Sequence, residues 1–165
     1  MRKSTFAIAA LALLLQGSLQ AGEFPVADKV VVEKSARKLH LLIDGEPFRT
    51  FDIALGIAPT GDKQVEGDFK TPEGRYLLDT RNPYSEYFLS IHVSYPDSQD
   101  IREARSLGQD PGGAIMIHGQ PNEPTRSETY YRTRDWTNGC IAVSNSDMID
   151  IWLMTSDNTP IEIWP

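Results

Sequence analysis

The stretch DWTNGCIAV at residues 135–143 is the most informative part of the sequence, because it holds Cys140, the one cysteine among 165 residues. One cysteine cannot close a disulfide within its own chain. It is therefore buried and inert, bonded to a second chain, or kept for its reactivity. Gly139 permits a sharp turn before it, and the backbone N–H groups of Asn138, Gly139 and Cys140 are natural donors to an oxyanion. These neighbours favour a nucleophile, which we expect to be alkylated below the pKa of roughly 8.5 of a free thiol.

The first 21 residues are typical of a secretory signal peptide. Arg2 and Lys3 precede an apolar run at 6–15, and Leu-Gln-Ala at 19–21 resembles a cleavage site. The apolar run is shorter than the roughly 20 residues that span a bilayer. We therefore expect a signal peptide at 1–21, one secreted domain at 22–165, and no stable membrane insertion after cleavage.

The overall charge argues against two classes of partner. The chain carries a formal net charge of −7, and removal of the basic signal peptide would make the domain more negative. Nucleic acids and anionic lipid surfaces attract basic proteins, so neither is expected to be the main partner.

Hydrophobic patterning predicts a mostly β (α+β) domain with two or three short helices. Asp44-Gly45 separates two apolar runs and indicates a hairpin turn. An amphipathic helix is expected at 97–107, a second helix is expected to begin at Ser144, and 120–135 is expected to be a loop. The predicted strands cover 29–34, 38–43, 48–57, 75–79, 88–95, 114–117 and 159–164.

A nucleophilic cysteine needs a base, and the chain offers three histidines. His40 lies inside an apolar run and is expected to be structural. His92 shares a predicted strand face with two serines and is expected to be satisfied or at the surface. His118 ends the run Ala114-Ile115-Met116-Ile117 and is followed by Gly119, which suits a side chain that enters a site. His118 is therefore the best candidate base.

The pair His118-Gly119 and Thr137-Asn138-Gly139-Cys140 resembles the motifs of the L,D-transpeptidase (YkuD-type) catalytic domain. The segment GDFKTPEGRY at 67–76 resembles that family's Thr-Pro-x-Gly segment. The runs at 87–96 and 112–119 are similar to its divergent murein branch. The resemblance covers roughly residues 28–165 and implies a single, β-sandwich-like catalytic domain.

The resemblance also implies an activity and its site. Cys140 would be the nucleophile and His118 the base, with Asn138, Gly139 and Gly119 forming the oxyanion site or shaping it. The substrate would be a peptidoglycan stem peptide in the periplasm, attacked to give a Cys140 thioester, with neither metal nor cofactor. The candidate substrate-binding residues are Trp136, Arg134, Tyr95 and His92.

Two positions depart from the family pattern. Asn138 stands where a second histidine is usual, and Ala142 stands where many members have an arginine. Arg126, Arg132 or Arg134 would have to replace that positive charge. These departures leave three alternatives to a transpeptidase open: an L,D-carboxypeptidase, an amidase that releases a murein-bound outer-membrane lipoprotein, and a non-catalytic wall-binding module.

The acidic loop with Asp62, Glu66 and Asp68 is interpreted as solvated, because its spacing matches no full calcium loop. It is therefore not expected to bind a metal.

Overall fold

The computed structural model describes residues 24–165, so the predicted signal peptide at 1–21 lies outside the described residues. The helices are α1 (Ser98–Ser106), α2 (Glu128–Thr133) and α3 (Asn145–Met154). The strands are β1 (Lys29–Glu33), β2 (Lys38–Ile43), β3 (Glu46–Asp52), β4 (Gly74–Ser85), β5 (Phe88–Val93), β6 (Met116–His118), β7 (Ile141–Ala142) and β8 (Thr159–Trp164). Within these residues no helix is both long and apolar enough to cross a membrane.

All eight strands form one mixed sheet in the order β3-β2-β1-β8-β4-β5-β6-β7. Its two ends meet, because the N–H groups of Ala54 and Ala142 each donate to the other residue's carbonyl oxygen at 2.8 Å. The sheet therefore folds back around one apolar core, to which α3 contributes Met148 and Ile151. The predicted mostly β, sandwich-like class with three short helices is confirmed.

Local sequence signals explain several of the element boundaries. Asp44 and Gly45 both have positive φ, 54° and 84°, as a two-residue hairpin between β2 and β3 requires. The Asp97 side chain caps α1 by accepting from the N–H groups of Gln99 and Asp100. The Ser144 side chain caps α3 by accepting from the N–H of Asp147, as expected.

Three predicted boundaries were wrong. The strand expected at 48–57 ends at Asp52, because Ala54 and Gly56 instead bridge to Ala142 and Thr137 at the other end of the sheet. The strand expected at 75–79 extends to Ser85 as β4, which pairs with β5 through register shifts. The expected loop at 120–135 contains α2.

Helix α2 is stabilised by a local cap and a buried side chain. The Ser127 side chain accepts from the N–H of Tyr130, and Tyr131 is buried beside Trp136, with ring centroids 5.1 Å apart.

Lys34 links the residue after β1 to the segment that precedes β4 through hydrogen bonds. The residue is 2% exposed. Its Nζ donates to the carbonyl oxygens of Gly61 and Thr71 at 2.7 and 2.8 Å and to Glu73 Oε1 at 2.7 Å. All three ammonium protons of the buried Lys34 therefore form hydrogen bonds.

Replacement of Lys34 by methionine is expected to lower the free energy of unfolding by about 3 kcal/mol, because it leaves two carbonyls and a carboxylate without their donor. Urea denaturation of the domain measures this loss. Lys38→Met is the matched control, since Lys38 pairs with Asp52 at an exposed site and should cost less than about 1 kcal/mol. Equal losses for the two variants would contradict this account of Lys34.

Candidate active site

Cys140 and His118 line one cavity of about 700 Å³. Its walls come from the hairpin between β4 and β5, from residues 113–116 before and within β6, and from residues 136–140 before β7. A volume of this size suits a small-molecule or peptide segment. The structure therefore brings the predicted nucleophile and the predicted base into one site.

His118 is held in one protonation state by its surroundings. It ends β6 opposite Ser90 and is 4% exposed. Its Nδ1 lies 2.6 Å from the carbonyl oxygen of Gly119. A carbonyl only accepts, so Nδ1 carries the proton and Nε2 is left as the acceptor that a base requires. Burial lowers the pKa of His118 to about 4, although the bond to Gly119 opposes this shift. The imidazole is therefore neutral at physiological pH.

Aromatic rings fix the orientation of the His118 ring. The centroid of the Tyr87 ring lies 4.7 Å from that of His118. The Trp136 ring packs edge-on against His118, with the ring centroids 5.6 Å apart. Trp136 is itself held by a hydrogen bond from Nε1 to the carbonyl oxygen of Tyr131 at 3.2 Å.

The Cys140 thiol is protonated in this substrate-free state. The half-buried side chain donates to the carbonyl oxygen of Ala114 at 3.5 Å. Burial raises the pKa of Cys140 above its ordinary value, while the N–H of Met116 and the charge of Lys63 act in the opposite direction. Desolvation therefore outweighs both favourable contacts, and the expected alkylation below the pKa of a free thiol stays a prediction.

The turn before Cys140 is built by Thr137. Its Oγ1 accepts from the N–H of Gly139 at 3.1 Å and donates to the carbonyl oxygen of Cys140 at 2.7 Å. The N–H of Gly139 already donates to Thr137, so it is not free to bind an oxyanion in this structure, contrary to the expectation from the sequence. Asn138 is exposed and lines the cavity.

The two glycines of the motifs are required by close contacts. Gly139 has a φ of +130°, and a Cβ there would lie 2.6 Å from the carbonyl oxygen of Lys70. A Cβ on Gly119 would lie 2.5 Å from Asn145 Oδ1. At either position a Cβ would force its neighbour to shift, and the site-shaping role of the two glycines stays a prediction.

Of the four candidate substrate-binding residues, only Trp136 lines the cavity. His92 instead bonds Asp79 through Nδ1 at 2.7 Å. Tyr95 is buried, and its hydroxyl donates to the carbonyl oxygen of Pro111 at 2.9 Å.

Arg134 is exposed and lines a separate groove with Arg37 and Asp135. Asp135 anchors that position, because it pairs with Arg37 at 2.7 Å and accepts from the N–H of Leu55. Ala142 is buried in β7 and is also absent from the lining of the Cys140 cavity.

The β4–β5 hairpin contributes lining residues that sequence reasoning missed: Asn82, Tyr84, Ser85, Glu86 and Tyr87. Ending β4 at residue 79 hid this hairpin, although Asn82-Pro83 is a turn signal. Among the described residues that line the cavity, Glu86 alone carries a permanent charge, and it is exposed.

The loop interpreted as solvated and acidic is partly buried. Asp68 accepts from Lys63 Nζ at 2.9 Å and from three backbone N–H groups. Asp62 accepts from the N–H of Glu73 at 2.7 Å. Across residues 24–165, no three His, Cys, Asp or Glu side chains are arranged to hold a metal ion.

Comparison with known proteins places the fold in a family. The YkuD model, described as the L,D-transpeptidase catalytic domain, matches residues 27–163. The chain belongs to the L,D-transpeptidase catalytic domain family. The match spans β1 to β8 and therefore includes both His118 and Cys140.

Two similar proteins support the assignment. A protein of Escherichia coli K12 named "Putative L,D-transpeptidase YafK" is 33% identical over 96 residues, which are 54% of this chain and 37% of that protein. The crystal structure of the helical cell shape determining protein Pgp2 from Campylobacter jejuni is 28% identical with a TM-score of 0.62. That comparison covers 82% of this chain and 46% of Pgp2. The chain thus spans less than half the length of either relative.

An L,D-transpeptidase from Mycobacterium smegmatis shares the fold at 15% identity, with a TM-score of 0.55 over 83% of this chain and 58% of that one.

Proposed function

We propose that this member of the L,D-transpeptidase family is a cysteine acyltransferase that acts on peptidoglycan stem peptides through a Cys140 thioester. One observation carries the proposal: Cys140 lines a cavity together with His118, whose Nδ1–H bond to Gly119 leaves Nε2 as an acceptor. Nucleophile, base and orienting group are the components that covalent catalysis requires.

The proposed first half-reaction begins with rotation of the thiol away from Ala114 and toward His118. Nε2 takes the thiol proton as sulfur attacks the carbonyl between meso-diaminopimelate and D-alanine. The bond to D-alanine breaks, and the His118 imidazolium returns the proton to the leaving amine. The tripeptide remains attached to Cys140 as a thioester.

In the second half-reaction an amine from a neighbouring stem attacks the thioester carbonyl and the C–S bond breaks. His118 takes the amine proton and returns it to the Cys140 sulfur, which restores the thiol. The N–H groups of Asn138 and Cys140 are the proposed oxyanion donors, since that of Gly139 bonds Thr137. Glu86 and the aromatic rings give the cavity no positive charge with which to fix a substrate carboxylate. The ammonium group of the acceptor stem is suited to Glu86, whereas the carboxylates of the donor stem have no cationic partner among the described lining residues.

The proposal places the mature domain, residues 22–165, in the periplasm after removal of the signal peptide at 1–21. It takes peptidoglycan as the partner, with a role in cell wall organisation and cell shape. Pgp2 is described as determining helical cell shape, which is consistent with this role.

Incubation of the mature protein with purified disaccharide tetrapeptides, followed by chromatography of the products, tests the reaction. We expect new dimers joined between two diaminopimelate residues and the release of D-alanine, both absent with Cys140→Ala. Formation of tripeptide without dimers would indicate a carboxypeptidase and not a transpeptidase. Release of a lipoprotein from intact sacculi would identify an amidase. If the wild-type protein binds sacculi but yields no product in any assay, the wall-binding alternative holds and the proposed enzyme is wrong.

A further inference from the structure

Lys63 is a buried ammonium that the proposed reaction does not use. Its side chain is 4% exposed, and Nζ donates to Asp68 Oδ1 and to the carbonyl oxygen of Val65, both at 2.9 Å. Nζ also lies 5.9 Å from the centroid of the Tyr95 ring. Burial of an ammonium has a desolvation cost, which the pair with Asp68 and the bond to Val65 offset.

The loop around Lys63, residues 61–71, touches the turn that carries Cys140. Asp68 Oδ1 accepts from the N–H of Lys70 at 3.1 Å, so the Lys63–Asp68 pair fixes the backbone there. The carbonyl oxygen of Lys70 lies 2.6 Å from the position of a Cβ on Gly139. The loop therefore packs directly against the residue that precedes the cysteine.

The same loop also touches the segment that receives the thiol. The N–H of Glu66 donates to the carbonyl oxygen of Asp110 at 2.8 Å, and Glu66 packs against Gly112. Tyr95, beside Lys63, donates to the carbonyl oxygen of Pro111. This segment ends at Ala114, the acceptor of the Cys140 thiol.

A titration of the Cys140 thiol would also respond to the charged groups around Cys140 and around the Lys63–Asp68 pair. The positive charge of Lys63 lowers the pKa of the Cys140 thiol, against the larger opposite effect of burial. On the Cys140 side, the other titratable lining groups are His118, Glu86, Tyr84 and Tyr87. On the Lys63 side, the carboxylates of Asp62, Asp68, Asp100 and Asp110 surround Tyr95, and Tyr76 bonds Asp100.

We propose that Lys63 is a positioning residue for the nucleophile: through its pair with Asp68 it fixes the 61–71 loop, which packs against Gly139 on one side and against the segment that ends at Ala114 on the other. The inference rests on the proposed role of Cys140 as nucleophile. It assigns a function to the buried pair that the family motifs do not include.

The test is the pH dependence of Cys140 alkylation by iodoacetamide, which needs no substrate. Lys63→Met is expected to move the midpoint of this profile upward by about 1 pH unit, because a nearby compensating charge is lost. Lys63→Arg keeps the charge and should leave the midpoint within about 0.3 unit of wild type, a margin well below that effect of a neighbouring charge. Lys38→Met is the control, since it also removes an ion-paired lysine but none of the contacts of the 61–71 loop.

Three outcomes would overturn the inference: no shift in Lys63→Met, an equal shift in Lys38→Met, or an equal shift in Lys63→Arg. Circular dichroism establishes that each variant is folded. If Lys63→Met does not fold, Lys63→Gln replaces it, because it also removes the charge while keeping a donor for Asp68. The same rise is expected, and an unchanged midpoint would contradict the proposal. Since the readout is thiol titration, a positive result stands even if no acyl transfer is found, and a negative result leaves the proposed reaction intact.

Discussion

Replacement of Cys140 by alanine is expected to reduce stem-peptide turnover to the background level, a loss on the order of 10⁶-fold. The thiol is the one nucleophile of its kind in the chain, and without it no thioester forms. The measurement is the initial rate of D-alanine release from a tetrapeptide. Because the half-buried cysteine makes only a long bond to Ala114, the free energy of unfolding should change by less than about 1 kcal/mol.

Cys140→Ser is the second variant for this test, since it keeps a hydroxyl of similar shape and lacks the nucleophilicity of sulfur. It should be folded and nearly inactive. Turnover by Cys140→Ala within about tenfold of wild type would show that the cysteine is not the nucleophile, because this is far from the loss expected when a covalent nucleophile is removed.

Replacement of His118 by glutamine is expected to slow D-alanine release by 10²- to 10⁴-fold, the usual contribution of a general base. Glutamine can still bond the Gly119 carbonyl but cannot accept the thiol proton at neutral pH. His40→Gln is the matched control, since His40 bonds Thr50 on the sheet and is absent from the cavity lining. Equal losses in the two variants would contradict the role of His118.

The same variant should change how stability depends on pH. His118 has a folded-state pKa of about 4, whereas the unfolded value is about 6.5. Between these values the unfolded chain binds a proton that the native protein does not. Acidification from pH 6.5 to 4 should therefore lower the free energy of unfolding by up to about 3 kcal/mol. His118→Gln should lack this contribution, as the difference between two urea titrations would show.

The motifs and the strand pattern were sufficient to predict the family and most of the sheet. His118-Gly119 and Gly139-Cys140 lie beside strand ends, and both glycines have close neighbours that a Cβ would crowd. Local requirements of this kind can be recognised in a single sequence. The Asp44-Gly45 hairpin was predictable for the same reason, since its two positive φ values select that dipeptide.

Other features depend on contacts between distant parts of the chain and could not be predicted. The Tyr87 ring reaches His118 only after β4 and β5 have paired. The loop with Asp68 looked solvated, because nothing local signals that Lys63 is buried beside it. The raised pKa of Cys140 likewise depends on desolvation by the folded cavity. Each feature follows from tertiary packing, which residue spacing does not encode.

Intact-protein mass spectrometry after brief mixing with a tetrapeptide stem tests the central claim most directly. The account predicts that wild-type protein gains the mass of the tripeptide acyl group, as a species that hydroxylamine removes and that Cys140→Ala does not form. Product formation by wild-type protein with no such adduct under rapid quenching, or an adduct that persists in Cys140→Ala, would contradict it.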